Sequence, residues 1–96
     1  MIRYKKIKIG KKYIDVFLIK LLSKNLILLR ASKGYIMCGY LDLAVAEKFG
    51  DVAVRITGVS TIGEAMNATV SSCTTYAKKL GISPGQPIRD ALKIIS

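Results

Sequence analysis

Ninety-six residues and 10.5 kDa are read as one domain with a single core. Half of the chain is apolar (51%) and 23% is charged, which excludes a disordered chain, and sixteen Lys and Arg against six Asp and Glu leave a formal charge of +10. With no His anywhere, a His-based triad, a His-ligated zinc site and a haem axial His are excluded.

The first third reads as strands. Ile7 and Ile9 alternate with Lys6 and Lys8, the pattern of a half-buried strand with its lysines in water. Gly10, Lys11 and Lys12 interrupt that alternation and mark a hairpin turn. Tyr13–Leu21 follows, rich in β-branched and aromatic residues, and its apolar middle predicts a strand covered on both faces. Ser23-Lys24-Asn25 predicts a turn, Leu26–Ala31 a third strand, Ser32-Lys33-Gly34 another turn and Tyr35–Cys38 a fourth strand. A helix through Asp15–Leu29 is the rival reading, but residues 16–22 offer too few polar positions for an amphipathic stripe.

The period then changes. Asp42 is a good N-cap, Leu41 and Ala46 occupy staple positions and Gly50 suits a C′ residue, so Leu43–Phe49 is a short helix. Val52–Thr57 alternates again and reads as a strand. A helix between Cys38 and Val52 suits a crossover that joins parallel strands. Thr61 and Glu64 have capping-box spacing. Beyond them Ile62, Met66, Val70, Cys73, Ala77 and Leu80 recur at steps of 4, 4, 3, 4 and 3, which predicts one helix ending at Gly81. Thr69, Ser71, Ser72, Thr74 and Thr75 on its outward face are poor helix formers, so packing must hold it. Ser83-Pro84-Gly85-Gln86 suits a type II turn, and Pro87 opens a last helix whose Ile88, Ala91, Leu92 and Ile95 face the core. The fold class is α+β: N-terminal, mostly antiparallel strands in a sheet with one β-α-β crossover, and helices packed on the sheet.

Charge divides the domain. Residues 1–33 hold ten Lys and Arg against Asp15 alone, a balance of +9; residues 34–96 hold six against five, a balance of +1. The first part is read as a basic, β-rich oligomerisation part and the second as an α/β part. So small a chain buries only about 60–65% of its unfolded surface. The apolar surplus therefore points to a subunit interface, assigned to Tyr13, Val16, Phe17, Leu18 and Ile19. Cys38 and Cys73 form neither a Cys-x-x-Cys pair nor a metal pattern, which implies a reducing, cytoplasmic compartment. Lys20 interrupts the apolar run Val16–Ile19 and no 18-residue apolar stretch exists, so neither a signal peptide nor a membrane partner is expected.

The stretch Ser32-Lys-Gly-Tyr-Ile-Met-Cys-Gly-Tyr-Leu-Asp42 is specific, as is Ala46-Glu-Lys-Phe-Gly-Asp51. With Thr57-Gly58-Val59, Asn67-Ala68 and Leu80-Gly-Ile-Ser-Pro-Gly85, these residues resemble the YunC-like family of bacterial and archaeal domains, domain of unknown function number 1805. The resemblance spans residues 7–95, with Asp42 standing where the family pattern has Asn; both cap helices. It implies an α+β domain whose N-terminal β region drives tetramer formation, and it supplies no activity.

No residue announces catalysis. Asp42 and Glu64 have capping roles, while Asp15, Glu47, Asp51 and Asp90 show no paired spacing. Cys38, at a strand end before Gly39 and a helix start, is a conceivable nucleophile in a site between subunits, but no His activates it, the Asp42 carboxylate opposes a thiolate, and a packed, inert thiol is the preferred reading. No cofactor or metal is expected. Ser32-Lys33-Gly34 lacks the spacing of a phosphate loop and a hairpin turn accounts for it. If that turn stands beside Gly39, a small anion would meet Lys33, backbone N–H groups and the Tyr40 hydroxyl. Ser32, Lys33, Gly34, Cys38, Gly39 and Tyr40 are therefore the candidate ligand site of a non-enzymatic binding or assembly protein. The competing reading is nucleic-acid binding by Lys5, Lys6, Lys8, Lys11 and Lys12, interleaved with Tyr4 and Tyr13, although such lysines also protect β edges from aggregation.

Overall fold

The computed structural model describes residues 2–96 and contains one six-stranded sheet with four helices. In chain order the elements are β1 (Ile2–Ile9), β2 (Lys12–Lys20), β3 (Asn25–Arg30), β4 (Tyr35–Met37), α1 (Leu43–Phe49), β5 (Ala53–Arg55), α2 (Ile62–Met66), β6 (Ser72–Cys73), α3 (Thr75–Lys79) and α4 (Ile88–Ile95). The strands lie in sequence order; β4 and β5 are parallel and every other neighbouring pair is antiparallel. The α+β class, the antiparallel N-terminal strands and the crossover through α1 are thus as the sequence predicts.

Local chemistry explains the boundaries. Gly10, at φ +62°, makes the tight β1–β2 turn that sets Ile9 against Lys12. The Asp42 carboxylate accepts from the Ala44 and Val45 N–H groups (3.1 and 3.3 Å), and Gly50 closes α1 in the left-handed conformation. Thr61 and Glu64 form the predicted capping box. Gly85 at φ +88° and a Gln86 N–H to Ser83 carbonyl bond of 3.2 Å complete the turn before α4.

One face of the sheet closes the core. Val16, Leu29, Ile36, Val54 and Cys73 form a single cross-strand row, flanked by Ile14, Ile27 and Ile56. Ala65 and Met66 of α2, Ala77 of α3 and Ile88, Ala91, Leu92 and Ile95 of α4 pack on this face. On the opposite face α1 covers only the β4–β5 end, where Leu41 and Ala46 bury Ala53 against Tyr35, Met37 and Leu43. Over β1–β3 that face is bare. Strand β2 is therefore covered on one side, not both: no helix returns over Phe17 and Ile19.

The single helix expected from Ile62 to Leu80 is not formed. It is three pieces: α2 ends at Met66 with Asn67 as its cap, residues 72–73 pair with β5 as β6, and α3 begins after Thr74. The β-branched and Ser-rich stretch between them gives its backbone to the sheet and the last turn. Val70 N–H bonds Gln86 O (2.8 Å), Ser71 N–H bonds Arg55 O (2.9 Å) and Thr74 N–H bonds Ala53 O (3.0 Å). Met66, Val70, Cys73 and Ala77 are buried as the spacing suggests, whereas Leu80 is exposed.

Candidate functional site

The β2–β3 turn, the β4–α1 connection and the β5–α2 connection meet at one end of the sheet. Together residues 23–25, 38–40 and 57–60, with Arg55 at the end of β5, wall a cavity of about 690 Å³. The position follows from topology: β4 and β5 are parallel, and their carboxyl ends open a crevice between connections leading to separate helices. Asn25 ties two lips together by donating from Nδ2 to the Ser60 carbonyl at 2.9 Å.

The cavity's chemistry is one-sided. Lys24 and Arg55 are its ionic groups, Ser23, Tyr40, Thr57 and Ser60 supply hydroxyls, and no carboxylate lines it. Arg55 Nε is buried without a hydrogen-bond partner, while Nη2 lies at van der Waals distance (4.0 Å) from where a Cβ on Gly39 would stand. Tyr40 stands half exposed at the rim, on the turn closed by the Leu41 N–H to Cys38 carbonyl bond (3.0 Å).

Cys38 is 4% exposed. Its backbone N–H donates to the Ile27 carbonyl (3.1 Å), which extends the β3–β4 ladder by one residue, while its Sγ accepts from the Ile27 N–H (3.4 Å) and lies 3.8 Å from the Asn25 carbonyl. Cys73, equally buried among core residues, has its thiol pKa pushed up by desolvation.

The structure gathers Cys38, Gly39 and Tyr40 but not Ser32, Lys33 and Gly34. That turn joins β3 to β4 at the opposite end of the sheet, where Lys33 N–H bonds Ile95 O (2.8 Å). Gly34 is needed for close approach: a Cβ there would meet the Val52 carbonyl oxygen and stand 2.8 Å from its Cγ1. Sequence reasoning missed Lys24, Arg55 and the 57–60 segment. A charged residue closing a strand parallel to its neighbour was the available signal for Arg55.

The helix beside the crevice is fixed by polar contacts at its far end. Tyr35 donates to Asp51 Oδ2 (2.8 Å), and burial with that carboxylate pushes the phenol up to about 12. Thr75 binds the Glu47 carboxylate through its hydroxyl and N–H, which holds Glu47 below the usual carboxylate range. Thr74 Oγ1, buried, donates to Asp51 O (2.7 Å) and accepts from the Ala53 and Ala77 N–H groups (3.2 and 3.3 Å).

The expected interface residues divide between the two faces. Val16 is fully buried and Leu18 packs against the core, whereas Tyr13, Phe17 and Ile19 lie on the bare face. There Ile2 (67% exposed) and Tyr4 (52% exposed) stand opposite Ile19 and Phe17. Asp15 accepts from Tyr4 OH (2.6 Å) and Arg30 Nη2 (3.0 Å), and these bonds lower its pKa. Arg30 lies 5.5 Å from the Phe17 ring centre. Among the described residues, no helix is long and apolar enough to cross a membrane.

A family model described as "Domain of unknown function (DUF1805)" matches residues 37–95. The chain is 42% identical over 78 residues to the uncharacterized protein YunC of Bacillus subtilis (strain 168), covering 77% of each chain. Its fold superposes with a TM-score of 0.96 and 36% identity on the crystal structure of a protein of unknown function, TA1206, from Thermoplasma acidophilum, covering 100% of this chain and 94% of that one. The chain therefore belongs to the DUF1805 family, the YunC-like family that its sequence resembles.

Proposed function

We propose that this domain is a non-enzymatic binding protein that holds a small anionic ligand in the crevice around Arg55. One observation carries the reading: Arg55, whose Nε has no hydrogen-bond partner, lines a cavity that no carboxylate lines. Leaving a buried donor unpaired costs about 1–3 kcal/mol, and more when the group is charged. A phosphate or carboxylate offers the matching geometry, two oxygens for the paired N–H groups of one guanidinium edge. Lys24 adds charge at the rim; Lys33 has no part. Calorimetric titration with inorganic phosphate tests the reading. Saturable binding that Arg55→Met weakens at least tenfold, about 1.4 kcal/mol, supports it. Equal affinity in both proteins refutes it.

A second reading, compatible with the first, concerns assembly. The bare face of β1–β3 carries Ile2, Tyr4, Phe17, Ile19 and Leu28 in two cross-strand rows, an apolar surface that a second copy of the chain would cover. Native mass spectrometry is expected to give a homo-oligomer, a tetramer by the family resemblance, and a lower mass for Phe17→Asp. A wild-type monomer that binds single-stranded oligonucleotides with steep salt dependence would assign this face and its lysines to nucleic acid instead.

A further inference from the structure

The β5–α2 connection borders more than the crevice. Thr57, Gly58 and Val59 are also one wall of a second cavity, of about 560 Å³, completed by Glu64 and Asn67 of the α2 end and by Ala68, Thr69 and Ser71. Gly58 lies on the segment that the two cavities share: its φ of +72° suits glycine, and no atom lies within 4 Å of where a Cβ would stand. Three of the segments that carry the family resemblance contribute residues 38–40, 57–59 and 67–68 to the walls of these two cavities.

The second cavity has the complementary chemistry. It contains no cation and no aromatic ring; it presents a carboxylate, a carboxamide and the hydroxyls of Thr57, Thr69 and Ser71. Both capping bonds to Glu64 fall on Oε1, from Ser60 N–H (2.8 Å) and Thr61 N–H (3.1 Å), which leaves Oε2 for another donor. Thr57 and Ser71 already share a hydrogen bond (3.1 Å) and offer their remaining lone pairs or proton jointly. An apolar tail would use none of these exposed polar groups, and a second anion would face the Glu64 charge. A polyhydroxylated body both donates and accepts, as this wall requires.

We infer that the ligand is an oxoanion ester of a polyhydroxylated molecule, the chemistry of a sugar phosphate. Its phosphoryl group sits on Arg55 and its hydroxyls reach across Gly58 to Glu64 and Asn67. This inference rests on the anion-site reading and names the ligand class for it. The test titrates the folded wild-type chain with inorganic phosphate, glycerol 3-phosphate, ribose 5-phosphate and glucose 6-phosphate. At least one ester is expected to bind tenfold or more tightly than phosphate. Asn67→Ala should remove most of that advantage while leaving phosphate affinity within twofold. Glu64→Gln, which retains an oxygen for the capping box, serves as a second variant and should weaken the ester selectively as well. If every ester binds no better than phosphate, or if both variants leave the preference intact, the inference is overturned and the Arg55 reading stands. If neither phosphate nor any ester binds, both fall together.

Discussion

Two adjacent rows of the same sheet have opposite fates. The row Val16–Leu29–Ile36–Val54–Cys73 points to α2 and α4 and is buried along its whole length. One residue along each strand, Tyr4–Phe17–Leu28–Met37–Arg55 points the other way: it begins on a bare face, passes beside α1 and ends at the crevice. Both rows are largely apolar and satisfy the same β geometry. What separates them is where the helices return. Three of the four helices supply buried residues to the inner face, and α1 covers only two strands of the outer one. Apolar alternation thus identifies which residues share a face, and connectivity decides whether the chain itself covers that face.

Substitutions on each row sharpen or break this contrast. The largest effect is expected inside: Leu92→Ala, on the buried stripe of α4, should cost about 2–5 kcal/mol of unfolding free energy in denaturant titration. A loss under about 1 kcal/mol would mean that the inner face is not tightly closed. Next comes Thr74→Val, which keeps the volume and removes the hydroxyl joining Asp51, Ala53 and Ala77. Three backbone groups lose that partner, and about 1–3 kcal/mol of destabilisation is expected by the same titration.

A smaller effect is set by pH. Because the folded-state pKa of Tyr35 is raised from 10.0 to about 12, the protonated phenol favours the folded state. Its contribution is complete below pH 10.0 and is lost as pH rises towards about 12. Asp15 and Glu47 act in the opposite sense: their pKa values are depressed, so their contributions hold above the ordinary carboxylate range and fade on acidification. Tyr35→Phe should flatten the alkaline limb of the stability profile and leave the acid limb alone. An unchanged alkaline limb would show that the Tyr35–Asp51 bond does not hold α1 in solution. The smallest expected change is in the stability of Arg55→Met, which removes the unpartnered Nε and should unfold no earlier than the wild type. A clear drop in its melting temperature would give Arg55 a structural role rather than a ligand-binding one.

Much of the architecture was legible because independent local signals agreed. The alternation of β1–β3, the Asp42 and Gly50 caps of α1, and Pro87 before the apolar stripe of α4 each matched pattern with boundary chemistry. Where they disagreed, between Ile62 and Leu80, the apolar spacing suggested a helix but the Ser- and Thr-rich interior had weak helix propensity. Tertiary pairing with β5 and the last turn decided the matter. The site was only half visible. Cys38, Gly39 and Tyr40 stand beside the helix start that a sequence reader notices, while Arg55 joins them through the parallel β4–β5 pairing, a contact no local window contains. Lys33 misled for the same reason: five positions from Cys38 in sequence, it lies at the other end of β4.

The central claim is that Arg55 receives an oxoanion in the crevice. The most direct measurement follows the Arg55 side-chain Nε–Hε resonance in a nitrogen–proton NMR spectrum during titration with inorganic phosphate, assigned by comparison with Arg55→Met. The account predicts a saturable downfield shift of that proton, accompanied by the amides of Gly39 and Gly58 at the crevice walls. An Nε–Hε signal that stays in place through the titration, with any shifts confined to the lysines of β1, would contradict it.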